Sequence, residues 1–261
     1  MGRWPDHSHG ASSGGDFLTL DIPVLWLHGW SMSPGLNIFP DRPGPSGKDG
    51  LLTVSFDECR VPADFDRAVR TRIEAVPGVL DIAAWSLGGL LALRAAAELP
   101  LKVRRLVLMA ATPKFTADPV SGWRAGWPLR VLKRMQRRLA ANRQGVLRDF
   151  REAMFTEAEC RVGWPDRLPE DPPHAGSWSD QALAAGLDYL AAADLRQRVG
   201  EIKAPALVIH GARDVICPVA GGRWLAERLP RAEWLEIEEA GHAPFLTQPE
   251  RVWPICREFL E

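Results

Sequence analysis

The run Asp81-Ile82-Ala83-Ala84-Trp85-Ser86-Leu87-Gly88-Gly89-Leu90 constrains this chain more than any other stretch. Ahead of it, Val79 to Ala83 reads as a buried strand; behind it, Leu90 to Ala97 is built from good helix formers. A serine held between the two sits in a sharp strand-to-helix turn, which tolerates only small residues two places before and two places after it. Ala84 and Gly88 meet that demand, although Ala84 departs from the glycine usual at its place. Such an elbow lifts a hydroxyl above the sheet, so Ser86 is the candidate nucleophile. A serine that merely caps a helix explains the motif equally well when it is taken alone.

Two further segments tip that balance. Val24-Leu25-Trp26-Leu27 is an apolar strand that runs into His28-Gly29-Trp30. There the backbone amide of Trp30, with that of Leu87 directly after the serine, would face the oxyanion formed when a carbonyl is attacked. His28 is expected to hydrogen-bond its own loop, since it precedes the oxyanion turn. Near the C-terminus, the strand Ala206 to His210 leads into an acidic loop with Asp214, and the strand Trp234 to Ile237 leads to Gly241-His242-Ala243-Pro244-Phe245. Ser86, Asp214 and His242 thus follow the order nucleophile, acid, histidine, which sets one triad architecture apart from the others. Singly, Asp214 has Arg213 as an alternative partner and His242 reads as an ordinary loop histidine. Their joint occurrence favours a catalytic set.

With 261 residues the chain is long enough for one large domain with a substantial core. Strand-like runs at Val24 to Leu27, Leu51 to Phe56, Val79 to Ala83, Val103 to Ala110, Ala206 to His210 and Trp234 to Ile237 alternate with helical segments. That alternation predicts an α/β fold with a mostly parallel central sheet flanked by helices, its site beyond the carboxyl ends of the strands. A formal net charge of −1 argues against a general nucleic-acid-binding surface. No segment is apolar and long enough to span a membrane, and the first twenty residues lack the apolar core of a secretory signal. A cytoplasmic monomer is expected. Residues 1–16 read as a flexible lead-in, followed by a short edge strand around Phe17 to Leu20, and His7 and His9 alone make no metal site. Cys59, Cys160, Cys217 and Cys256 form no C-x-x-C pair, so no zinc or redox centre is signalled, and Cys217 is expected to pack. Neither a metal nor an organic cofactor is called for.

The core is expected to span 17–115 and 186–261, interrupted at 116–185 by a helical insertion that breaks the alternation and reads as a lid. From Arg124 to Arg161 it carries ten basic residues, among them Arg143, Arg148 and Arg151, against Asp149, Glu152, Glu157 and Glu159. Such charge marks either a solvated helix face or a docking surface for an acidic macromolecule. Phe150 and Met154, one helical turn apart, are placed to face a pocket that Trp30 and Trp85 would also wall, with core packing the alternative for each. Gly122, Gly126 and Gly145 offer themselves as pivots.

Leu27-His28-Gly29-Trp30, Trp85-Ser86-Leu87-Gly88-Gly89-Leu90, Ala111-Thr112-Pro113-Lys114-Phe115, Gly186 to Leu190, Asp194-Leu195-Arg196 and Gly241 to Phe245 together span nearly the whole chain. In these the chain resembles the α/β-hydrolases, and within them the esterases that cleave pimeloyl-acyl-carrier-protein methyl ester in biotin synthesis. The resemblance implies the α/β-hydrolase fold and hydrolysis of a methyl ester on an acyl chain borne by acyl carrier protein. It also implies that Arg148 contacts the acidic carrier and that Phe150 lines the acyl channel, with Arg143 and Arg151 close by. Arg151 and Glu152 are charged where that channel segment is usually apolar. The alternatives are a general carboxylesterase for small esters, a cofactor-free haloperoxidase-like or C–C-bond hydrolase on the same scaffold, and a non-catalytic ligand-binding module.

Overall fold

Val24-Leu25-Trp26-Leu27 has no polar face, and such a strand needs cover on both sides, which an interior strand of a parallel sheet receives. The computed structural model, which describes residues 22–36, 51–168 and 178–261, places it there. The lead-in, the expected edge strand at 17–20, His7, His9 and most of the Pro- and Gly-rich stretch after Ser33 lie outside the described residues.

The elements run β1 (Val24–Leu27), β2 (Leu51–Thr53), α1 (Pro62–Glu74), β3 (Leu80–Trp85), α2 (Leu87–Glu98) and β4 (Val103–Met109). The insertion follows as α3 (Leu129–Ala141), α4 (Arg143–Ala153), α5 (Glu157–Arg161), α6 (Trp164–Arg167) and α7 (Asp180–Ala192). The chain then returns as β5 (Ala206–Gly211), α8 (Val219–Arg228), β6 (Ala232–Ile237), α9 (Pro244–Thr247) and α10 (Pro249–Leu260). The sheet is parallel throughout, in the order β2-β1-β3-β4-β5-β6. Strand order therefore reverses between β1 and β3, and in open α/β sheets a ligand crevice opens at such a switch point. The register brings Leu27 beside Ala84, Trp85 beside Met109, and Met109 beside Ile209, so the strands finish on one level.

Several boundaries differ from the sequence reading for local reasons. The second strand stops at Thr53, short of Phe56, because Ser55 hydrogen-bonds Asp57 and turns the chain out of the ladder. β4 ends at Met109 because Ala110 takes a φ of 46°. β3 and β5 run further than expected, to Trp85 and Gly211, and α2 starts at Leu87. The proposed lid boundary at 185 falls inside α7, which packs on α1 through Tyr189 against Phe65, with Trp178, just ahead of the helix, on the same ring. Gly145 lies within α4 beneath the Asn142 cap, and a side chain at Gly126 would strike the 115–117 backbone; neither is a free pivot.

Gly88 carries the tightest packing in the elbow, since a Cβ there would collide with the Leu27 carbonyl. Gly88→Ala should lower stability by about 1–3 kcal/mol and reduce activity by moving Ser86, read by thermal unfolding together with ester turnover.

Candidate active site

Three loops meet at the switch point. In the first, Ser86 adopts φ 57° and ψ −116°, a region a non-glycine residue occupies only when its surroundings enforce it. The enforcement comes from β3, buried along its whole length, and from α2 seated on the end of β1. Ala84 fits this elbow with its methyl fully buried, so the missing glycine leaves the turn intact. Gly29 lies so close to Ser86 that a Cβ on it would come within 3.3 Å of the serine Cβ. The turn bearing the Trp30 amide is thereby set beside the hydroxyl. Leu87 is the first residue of α2, where an amide has no intrahelical acceptor.

In the second loop, Asp214 follows β5 with its carboxylate fully buried. Oδ1 accepts hydrogen bonds from the amides of Ile216 and Cys217, at 2.8 and 2.9 Å, and Oδ2 lies 2.7 Å from His242 Nδ1. Burial alone would raise its pKa; its interactions with the His242 and His210 imidazoles outweigh that and hold it at about 2. An ionised carboxylate only accepts, so His242 carries its proton on Nδ1 and presents a bare Nε2. That nitrogen is buried and has no hydrogen-bond partner. Cys217, Asp214 and His242 are thus joined by hydrogen bonds, and Ser86 directly follows Trp85, whose indole lies against the His242 ring. Nucleophile–base bonds in unliganded sites are often loose and tighten around substrate.

The third loop carries His242. Trp85 donates from Nε1 to the His242 carbonyl at 2.8 Å and lays its indole against the imidazole and Phe245. The pocket wall read for Trp85 is therefore a support beneath the histidine. Trp30, by contrast, meets Phe150 edge-on at 5.0 Å and donates to the Leu183 carbonyl. This contact brings the insertion to the oxyanion turn, and Met154 is buried one turn further along.

The basic residues divide. Arg143 pairs with Asp180 at 2.6 Å and donates to the Trp178 carbonyl, tying α4 to the start of α7. The same side chain also lines the cleft described next, so it stands there already paired with Asp180. Arg148 is exposed, and with Arg151, Leu147, Glu152 and Asp166 it lines a cleft of about 480 Å³ between α4 and α6. Among the described residues, no three His, Cys, Asp or Glu side chains converge in a way that would hold a metal ion, and no helix is long and apolar enough to cross a membrane.

Sequence reasoning missed two buried groups. His210 faces the Cys217 carbonyl at 2.7 Å and Asp214 Oδ2 at 3.3 Å, so it adds a second imidazole to the acid. Its place at the end of an apolar strand, next to the acidic loop, was the available signal. Glu159 reaches the histidine loop from the insertion, and no spacing in the sequence points to that.

His28 is buried with Nδ1 on the Gly29 carbonyl. Desolvation depresses its pKa to about 4 against the opposing pull of that bond. The unfolded chain protonates His28 below about 6.5 and the folded chain only near 4, so stability falls as pH drops through this window. His28→Gln should flatten that fall by about 3 kcal/mol, read from denaturant unfolding at a series of pH values.

The model of the "Alpha/beta hydrolase family" matches residues 24–255. A pimeloyl-acyl-carrier-protein methyl ester esterase from Nitrosomonas europaea is 34% identical over 242 residues, covering 87% of this chain and 91% of its own. One from Chromobacterium violaceum is 31% identical over 256 residues, covering 91% and 94%. Among solved structures, an esterase from Exiguobacterium antarcticum superposes with a TM-score of 0.70 at 22% identity, covering 92% and 91%.

Proposed function

The chain belongs to the α/β-hydrolase family, and we propose that within it the protein is a serine esterase that hydrolyses the methyl ester of pimeloyl-acyl carrier protein, releasing methanol. What carries the reading is the pairing of Asp214 with His242 and the seating of the His242 ring on Trp85, the residue directly before Ser86, in a chain whose relatives bear that esterase's name.

In this mechanism His242 Nε2 takes the Ser86 proton as the hydroxyl attacks the ester carbonyl. Asp214 keeps the other ring nitrogen protonated and stabilises the imidazolium that forms. The amides of Trp30 and Leu87 receive the oxyanion. Methanol departs with the proton from His242, and water then enters by the same route in reverse to free the acid and restore the serine. Phe150 and Met154 wall the acyl chain against Trp30, while Trp85 buttresses the histidine. Residues 116–185 act as the lid, and its exposed cations take the carrier. Those are Arg148 at the cleft, with the half-buried Arg151 beside it, joined by the outward face of α3, where Arg130, Lys133, Arg134 and Arg137 recur at helical spacing and are all exposed.

Ser86→Ala should cost on the order of 10³ or more in kcat with folding intact. Turnover of the carrier-bound methyl ester should exceed that of the free methyl ester and fall with added salt. Arg148→Glu with Arg151→Glu should raise KM for the carrier-bound ester and leave a p-nitrophenyl ester unaffected. Equal rates with and without carrier would leave a general carboxylesterase.

A further inference from the structure

Glu159 is a buried carboxylate on the insertion, and its bonds run in two directions. Locally it completes a capping box: the Thr156 amide donates to Oε2 at 2.7 Å, and the Glu159 amide donates to Thr156 Oγ1 at 3.2 Å. Both carboxylate oxygens also receive the Gly241 amide, at 3.2 and 3.3 Å, from 82 residues along the chain. The next amide, that of His242, donates to the Met154 carbonyl at the end of α4, at 2.7 Å. Gly241 has no room for a side chain, since a Cβ would meet the Met154 carbonyl and lie 2.9 Å from Glu159 Oε2. Two successive amides leading into the histidine are therefore gripped by the α4–α5 turn, while the His242 carbonyl is gripped by Trp85 on β3. A helix cap alone needs none of the contacts to Gly241.

We propose that Glu159 is a positioning residue for His242, so that the insertion sets the general base as well as covering the pocket. The proposal rests on the assignment of His242 as that base. A base displaced by a fraction of an ångström loses rate without losing substrate affinity.

The test compares Glu159→Asp, Glu159→Gln and Thr156→Val. Aspartate keeps the negative charge at the start of α5 but is one methylene too short to reach Gly241; glutamine keeps an acceptor oxygen at full reach; valine breaks the cap and leaves the carboxylate. With a p-nitrophenyl ester as substrate, Glu159→Asp should lower kcat about tenfold with KM nearly unchanged. It should also shift or broaden the far-downfield proton NMR signal of the His242 Nδ1–H bond to Asp214. Glu159→Gln should stay within about threefold of the parent and keep the signal, and Thr156→Val should lower the melting temperature alone. Unchanged kcat and signal in Glu159→Asp, or an equal kcat loss in Thr156→Val, would reduce Glu159 to a helix cap and overturn the proposal. Failure of the parent protein to hydrolyse any ester would instead strike the functional reading, and the NMR comparison would still report on the positioning of the ring.

Discussion

Main-chain contact between the start of α2 and the end of β1 is the constraint on which the site depends. Because Gly88 has no side chain, the helix settles on the Leu27 carbonyl, and the residue ahead of it must bridge strand and helix in a single step. That residue is Ser86, and its positive φ follows from the geometry. A conformation of this kind costs about 1–3 kcal/mol and survives because fully buried strands on either side leave the chain no alternative path. A second contact does the same on the other flank, where a side chain on Gly211 would strike the carbonyls of Ala240 and Gly241. The acid loop and the histidine loop are thereby brought side by side. Two absent side chains thus fix the spacing of three loops, and the hydrogen bonds among them follow.

The apolar core also does electrostatic work. Asp214 is an anion with no exposed side-chain surface, and its desolvation is offset by two amides and two imidazoles. Removed from water, that carboxylate has few ways to be satisfied, so it dictates the tautomer and orientation of His242 rather than merely attracting it. Trp85 limits the ring from beneath. The bare, buried Nε2 is the product of these restrictions taken together.

Much of this was legible in the sequence, for a physical reason. Interior strands of a parallel sheet are apolar without interruption, so Val24 to Leu27 and Ala206 to His210 could be read directly, and Trp30 and Asp214 stand in the loops after those strands. What could not be read depends on partners distant in sequence. Arg143 looked like a free surface cation, yet it is held by Trp178 and Asp180, more than thirty residues on. Thr156-x-x-Glu159 is locally complete as a capping box, so nothing in its spacing reveals contacts with residue 241. Strand ends were misjudged where a side-chain turn at Ser55 or a positive φ at Ala110 decided them.

The place of the insertion in the site bears on how an activity can differ among proteins that share this sheet. Fold likeness at a TM-score of 0.70 and 22% identity carries no substrate with it. If the insertion only covered the pocket, exchanging it would alter what binds and leave the chemistry untouched. Here it supplies Phe150 against Trp30, a cation-lined cleft, and two acceptors for the amides leading into His242. On the proposed function, in which Met154 walls the acyl chain, any change in α4 or α5 that remodels that wall therefore also bears on the histidine, whose amide the Met154 carbonyl accepts. On that reading substrate preference and turnover are coupled through one turn of chain, and an insertion taken from a relative would have to bring its own acceptors for the histidine loop to leave the ring in place.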